Sequence, residues 1–165
     1  MSRPKPIKPG PGQESVWDYP RPAIAEPTPL SLRVEFARKV IASTRQGMRT
    51  LETSHPPTYY FPEADVSRSL LRQSGHASFC EWKGQATYFD VVVGDQVAPN
   101  AAWTYRSPTP SFQSIAGHIA FYPAMMDACF VDDERVEPQA GGFYGGWVTS
   151  HVVGPFKGIP GSFGW

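Results

Sequence analysis

Prolines and glycines interrupt this sequence so often that long helices are excluded. The chain of 165 residues carries 18 prolines and 15 glycines, about a fifth of all positions. Proline removes a backbone donor and collides with the preceding helical turn, and glycine raises the entropic cost of ordering. Hydrophobic residues at 41% and aromatic residues at 13% still supply a core. The sequence therefore predicts a mainly β domain with two or three short helices at most.

Charge and hydropathy exclude several functional classes. Fifteen basic and fifteen acidic side chains give a formal net charge of zero, so electrostatics give no reason to expect nucleic acid or an anionic membrane as a partner. No apolar stretch approaches the ~20 residues that cross a bilayer. The basic N-terminus lacks the apolar segment of a secretory signal. We therefore expect a cytoplasmic protein with no nucleic-acid and no membrane partner.

Composition divides the chain into three parts. Residues 1–29 form a proline-rich arm, extended at PKPIKPGPG; its Trp17 and Tyr19 either dock on a surface or belong to a disordered segment. Residues 30–137 hold the strand-like segments and form the predicted domain. Residues 138–165 combine glycines with bulky aromatics, too apolar for a solvated tail and too flexible for a separate core. We expect these aromatics to dock within the chain or on another subunit.

Alternating polarity and turn signals place the secondary structure. LRVEF and VIAST predict a hairpin that turns at residues 37–39, and Gly94-Asp95 turns ATYFDVVV back into QVAPNAAWTY. The segments TYYF, FCEWKG, HIAFYP and WVTSHVV also favour strands, and PEADV favours one helical turn begun by a proline. SFQSIA predicts a short helix that begins at Ser111 and ends before Gly117.

Glu52 and His55 are the best candidates for chemistry. They lie three residues apart, just before the rigid Pro56-Pro57, and a carboxylate beside an imidazole is the minimum for proton transfer. The alternative is a hydrogen-bonded pair that only holds the loop in place. Surrounding aromatics favour the functional interpretation, because apolar walls exclude water and shift pKa values.

The CEWKG segment adds a second group of candidates. On a strand, Cys80 and Trp82 would share one face, and Glu81 and Lys83 the other. If the second face points inward, Lys83 could meet an anionic ligand beside Glu52; otherwise it is solvated. A nucleophilic cysteine needs a lowered pKa and a nearby base, neither of which the sequence indicates.

No metal site is predicted. The histidines and Glu52 lack HxH or HExxH spacing, and Cys80 and Cys129 lack CxxC spacing. The two cysteines are expected to be reduced, buried thiols. His118 lies in a predicted apolar strand, where a single histidine is more often a core residue than a ligand.

Several motifs in the same order resemble the domain of unknown function 427 family. They are LETSHPPTYYFPEADV, HASFCEWKGQATYFDVVVGDQV, NAAWTYRSP and IAGHIAFYP, and the resemblance spans residues 30–137. It implies a small Mss4-like or β-tent fold, a two-sheet barrel with a few short helices. Many β-tent relatives hold structural zinc through paired CxxC motifs. This chain has neither pair, so we expect a zinc-free domain.

We predict that the protein binds a small molecule in a pocket lined by Glu52, His55 and aromatic residues. The predicted catalytic residues are Glu52 and His55, and the predicted ligand-binding residues are Tyr60, Trp82, Lys83, Trp103 and His118. One alternative is a structural module whose arm and tail join subunits into a homo-oligomer. Another is an enzyme that uses Glu52 and His55 as acid and base. The sequence specifies neither the ligand nor a cofactor.

Overall fold

The computed structural model describes residues 3–165 and confirms a mainly β protein. The first two residues of the predicted arm lie outside the described residues. Within residues 3–165 every helix is a short 3₁₀ helix, and the longest spans Pro110–Ile115. No helix in this part of the chain is long and apolar enough to cross a membrane.

Most strands are short, as the density of proline and glycine predicts. Along residues 3–165 they are β1 (Glu14–Ser15), β2 (Ile24–Pro27), β3 (Leu32–Phe36), β4 (Lys39–Thr44), β5 (Met48–Leu51), β6 (Thr58–Tyr60), β7 (Leu71–Cys80), β8 (Gly84–Val93), β9 (Gln96–Thr104), β10 (Ile119–Phe121), β11 (Ala128–Val131), β12 (Glu134–Arg135), β13 (Glu137–Pro138), β14 (Trp147–Val148) and β15 (Val152–Val153). The 3₁₀ helices are Val16–Asp18, Glu63–Asp65, Arg68–Leu70, Pro110–Ile115 and Pro123–Met125.

Two four-stranded sheets supply most of the core. Their strand orders are β10-β9-β8-β7 and β12-β11-β3-β4, and a three-stranded sheet has the order β2-β5-β6. The alternation in LRVEF is realised, because Leu32, Val34 and Phe36 are buried while the residues between them are half-buried. Side chains from both large sheets, among them Val34 and Phe89, belong to one hydrophobic cluster. The Mss4-like relationship of these sheets stays a prediction.

Both predicted hairpins are confirmed. β3 and β4 pair in antiparallel fashion around Ala37 and Arg38, which have positive φ angles of 50° and 65°. β8 and β9 pair around Gly94-Asp95, with Val93 opposite Gln96. PEADV contains the expected single turn, at Glu63–Asp65. Local turn chemistry therefore indicates these connections correctly.

Two local predictions, for CEWKG and WVTSHVV, are wrong. CEWKG is not a continuous strand: β7 ends at Cys80 and the chain turns through residues 81–83. SFQSIA does form a short helix, the 3₁₀ helix Pro110–Ile115, with Thr109 as its N-cap where Ser111 was predicted. WVTSHVV contains two separate two-residue strands, β14 and β15. Each error has the same origin, because short segments take the conformation that their tertiary contacts favour over their own propensity.

The arm and the tail pack on each other within one chain. β1 of the arm pairs in parallel with β15 of the tail. Trp17 donates a hydrogen bond from Nε1 to the Pro155 carbonyl at 2.9 Å, and its ring contacts Trp165 edge-on at 5.6 Å. A separate hydrophobic cluster results, with Val16, Trp17, Tyr19, Leu51 and Val152 at its centre. The arm is therefore docked through residues 14–19, whereas residues 5–12 are exposed.

The two cysteines are free thiols in different environments. Cys129 on β11 is buried, and desolvation raises its pKa to about 12. It is an ordinary core residue. Cys80, at the end of β7, is only half-buried and lies beside the cavity described next.

Candidate functional site

A cavity of about 350 Å³ lies between the loop after β5, the β7–β8 hairpin and the C-terminal tail. Six of the seven predicted site residues line it: Glu52, His55, Tyr60, Trp82, Lys83 and Trp103. They come from four separate segments of the chain. Antiparallel pairing of β7, β8 and β9 carries the last three to the same place.

His118 lies outside this lining. It is half-buried on the turn before β10, and its Nδ1 lies 3.4 Å from the Ala116 carbonyl two residues earlier. The Thr104 hydroxyl donates to the His118 carbonyl at 2.7 Å. The structure therefore holds His118 within its own turn, apart from the other six.

Both chain extensions hold the loop that carries Glu52 and His55. In the middle of the loop, the Ser54 amide donates to the Val16 carbonyl at 3.0 Å, and the Ser54 carbonyl accepts from the Lys157 amide at 2.9 Å. Further along, the Trp147 amide donates to the Pro57 carbonyl at 2.8 Å. The arm supplies the first of these bonds and the tail the other two. The position of the candidate residues thus depends on segments that flank the predicted domain.

Gln139 fixes the tautomer of His55. Its Oε1 accepts from the Gly146 amide at 3.2 Å, so its Nε2 is the donor end. That Nε2 lies 2.7 Å from the Lys157 carbonyl and 3.1 Å from Nδ1 of His55. Because Nε2 only donates, Nδ1 of His55 must accept, and the imidazole carries its proton on Nε2. Gln139 is almost fully buried, which stiffens this arrangement.

The imidazole of His55 is kept neutral by its surroundings. Burial lowers its pKa below the ordinary value, and the positive charges of Lys157, Lys83 and Arg21 add to this, while Glu52 opposes it. The Glu52 carboxylate lies 3.9 Å from Nε2 of His55, too far for a hydrogen bond. The Nε2–H donor of the neutral imidazole therefore lies beside the Glu52 carboxylate without a hydrogen bond to it.

The free energy of unfolding is expected to fall as the pH drops below about 6.5, the ordinary pKa of histidine. The pKa of His55 is lowered in the folded state, so between the two values only the unfolded chain binds the proton. The contribution of His55 to the free energy of unfolding is therefore full above the unfolded-state pKa. It is lost as the pH falls toward the lower folded-state pKa. Urea unfolding at pH 7.5, 6.5 and 5.5 would measure this slope. An equal slope in His55→Gln would contradict the assignment.

Aromatic rings form the apolar wall of the cavity. Trp103 lies at their centre, 4.5 Å from Tyr122 and 6.4 Å from both Tyr60 and Tyr88, between ring centroids. Burial raises the phenol pKa of Tyr60 and of Tyr122, so both remain neutral. The Tyr88 hydroxyl lies 2.9 Å from the Ser78 hydroxyl. This wall offers ring faces and uncharged hydroxyl groups.

The turn after β7 places Trp82 and Lys83 at the cavity. The Thr109 hydroxyl donates to the Trp82 carbonyl at 2.6 Å, and the Thr109 amide donates to the Lys83 carbonyl at 3.1 Å. Gly84 ends the turn with a φ of +105°, a backbone conformation that residues other than glycine rarely adopt. The Lys83 ammonium lies 3.9 Å from the Cys80 sulfur. The strand alternation expected for CEWKG does not apply, and both sets of side chains reach the cavity.

Residues 24–132 match the family model described as Domain of unknown function (DUF427). The matched region covers about two thirds of the 165 residues. The chain belongs to the DUF427 family. No curated protein matches the sequence.

The cavity of this DUF427 protein extends beyond the matched region. Its tail contributes five lining residues that sequence reasoning missed: Gln139, Phe143, Tyr144, Gly145 and Lys157. The ring of Tyr144 contacts His55 edge-on at 5.1 Å. The sequence signal for these residues was GGFYGG in the tail. Glycine lets the backbone approach another surface closely, so these glycines indicate that the tail packs tightly on the domain. Among residues 3–165, no three His, Cys, Asp or Glu side chains form a group that could hold a metal ion.

Proposed function

We propose that this DUF427 protein binds a small molecule in the cavity. The proposal rests on one observation: a carboxylate, a neutral histidine and a cluster of aromatic rings converge on about 350 Å³ of concave space. Ligand sites usually measure about 300–1,000 Å³ and combine apolar walls with a few polar groups. The Gln139 network, which fixes the His55 tautomer at the cavity, supports the same proposal.

A metabolite library is expected to contain compounds that raise the melting temperature of the native protein, because a ligand selective for the folded state must stabilise it. Two substitutions test whether they bind here. Ser78 is exposed and lines the cavity, so Ser78→Trp should fill it and abolish the shift. Glu52→Gln should weaken binding without filling the space. Isothermal titration calorimetry would confirm each dissociation constant.

Ser114→Trp is the matched control, since Ser114 is exposed and lies outside the lining. It should leave the thermal shifts unchanged. Ligands that stabilise Ser78→Trp as well as the unmodified protein would overturn the proposal, and so would a library in which no compound raises the melting temperature.

Acid–base catalysis is the second candidate, favoured by the fixed Nε2–H tautomer of His55 beside Glu52. A neutral imidazole can donate to a developing negative charge while the carboxylate accepts a proton. Once a ligand is known, its turnover should disappear in Glu52→Gln. A turnover rate that Glu52→Gln leaves unchanged at every pH would eliminate this candidate. An oligomer joined by arm and tail has less support, because these segments pack on each other.

A further inference from the structure

Two opposite charges on the cavity wall have no ionic partner. Among residues 3–165, the carboxylate of Glu52 lies within 4.0 Å of only one group that can carry a positive charge, His55, whose imidazole is neutral. Lys83 forms no ion pair within that distance; its ammonium lies near the Cys80 sulfur and 5.6 Å from the Phe112 ring centroid. Both side chains are partly buried. A bound molecule that carries complementary charges could pair with both groups.

The other charged residues of the lining are already accounted for. The Lys157 ammonium donates to the Trp165 carbonyl at 3.2 Å. Glu81 is exposed on the turn after β7, where water solvates it. Glu52 and Lys83 therefore remain as the two partly buried charges that a bound molecule could meet.

Glu52 and Lys83 act on the same part of the cavity. Both side chains line the same cavity of about 350 Å³, and the Glu52 carboxylate lies 3.9 Å from Nε2 of His55, a third lining residue. They nevertheless form no ion pair with each other within 4.0 Å. The space between a carboxylate and an ammonium that do not touch suits a molecule that carries the opposite pair of charges.

We propose that the ligand is a zwitterion of about the size of an amino acid, with its ammonium group at Glu52 and its carboxylate at Lys83. This inference rests on the proposed small-molecule function. Charge-assisted hydrogen bonds at both ends would satisfy the two unpaired groups. A purely cationic ligand would be repelled by Lys83, and a purely anionic one by Glu52. Charge complementarity at both ends thus selects a dipolar ligand that is neutral overall.

The remainder of the ligand would contact the aromatic wall. Trp103 and Tyr122 present their rings to the cavity, and an ammonium near ring faces gains additional cation–π attraction. Phe79 and Phe143 are 77% and 80% exposed and line the same cavity. They could cover an apolar side chain of the ligand. These contacts favour amino acids with aromatic or large aliphatic side chains over glycine or alanine.

The test is a thermal-shift and calorimetric comparison of defined probes. The zwitterions are the twenty standard α-amino acids together with β-alanine and 4-aminobutyrate, which span longer charge separations. For each zwitterion that binds, its amide supplies the matched cation and its N-acetyl derivative the matched anion. The expected result is binding of the zwitterion at least about tenfold tighter than either derivative.

Two substitutions should separate the ends of the ligand. Glu52→Gln should remove the preference for the zwitterion over the N-acetyl derivative, and Lys83→Gln should remove the preference over the amide. Glu63→Gln and Lys39→Gln alter exposed residues outside the cavity and should change neither. Binding of all three forms with equal affinity, or preferences that survive both substitutions, would overturn the inference.

The outcomes separate the zwitterion assignment from the proposed small-molecule binding on which it rests. If the metabolite library yields ligands that Ser78→Trp excludes but none is zwitterionic, the cavity binds small molecules and the zwitterion assignment is wrong. If no compound of any class binds in the cavity, both are wrong.

Discussion

Replacing Trp147 with alanine is expected to lower the free energy of unfolding by about 3–5 kcal/mol, the range for deleting a large aromatic side chain from a packed core. Trp147 is fully buried, with its ring centroid 5.2 Å from that of Tyr59 and 6.1 Å from that of Phe61. Its Nε1–H also donates to the Phe121 carbonyl at 3.2 Å. The substitution thus removes contacts with two aromatic rings and one buried hydrogen bond.

Urea unfolding measures this loss directly, with Phe163→Ala as the matched control. Phe163 is also an aromatic residue of the tail, but it is 89% exposed, and its removal should change stability by no more than about 0.5 kcal/mol. Equal effects of the two substitutions would contradict the core position of Trp147. The expected difference would show that the tail completes the main core, because Trp147 belongs to the same cluster as Val34 and Phe89.

The sequence predicts the β architecture well where the signal is local. The turns at residues 37–39 and at Gly94-Asp95 need only two or three residues to define them, and both hairpins form as expected. Glu52 and His55 are also close for a local reason, since the amide of His55 bonds to the Glu52 carbonyl in one turn. Why Glu52 and His55 share a cavity with Lys83 is not a local matter, because the arm and the tail hold their loop in place.

Long-range relationships are what the sequence does not reveal. Gln139 meets His55 across 84 positions, and no periodicity or turn signal couples residues so far apart. The tail has few regular hydrogen bonds, so its path depends on where glycine permits close contact. The CEWKG turn shows the same limit: apolar and charged residues alternate there as in a strand, but Gly84 and the bonds from Thr109 impose a bend.

Gly158→Ala is expected to destabilise the protein by about 3–5 kcal/mol, because it combines backbone strain with a steric clash. Gly158 has a φ of +120°, and a Cβ atom there would collide with the carbonyl group of Ala140. Gly141 has a φ of +102°, and a Cβ atom there would lie 3.2 Å from the carbonyl oxygen of Gly158. The two glycines allow the segments around Ala140 and Lys157 to approach each other closely.

Gly161→Ala is the control that isolates the clash. Gly161 also has a positive φ, +84°, but nothing lies within 4 Å of the position a Cβ would occupy. Only the strain of about 1–2 kcal/mol for a left-handed conformation should appear there. Chemical denaturation of both variants at one pH gives the difference between their free energies of unfolding, which is the cost of the clash.

The clash should also disturb the candidate site, since the same close approach brings Gln139 Nε2 to 2.7 Å from the Lys157 carbonyl. Moving Lys157 away from Gln139 would weaken the network that holds His55 as the Nε2–H tautomer. Nitrogen chemical shifts of the His55 ring should therefore change in Gly158→Ala and stay the same in Gly161→Ala. Equal destabilisation of the two variants, with an unchanged His55 ring in both, would mean that the contact between Gly158 and Ala140 does not position the site.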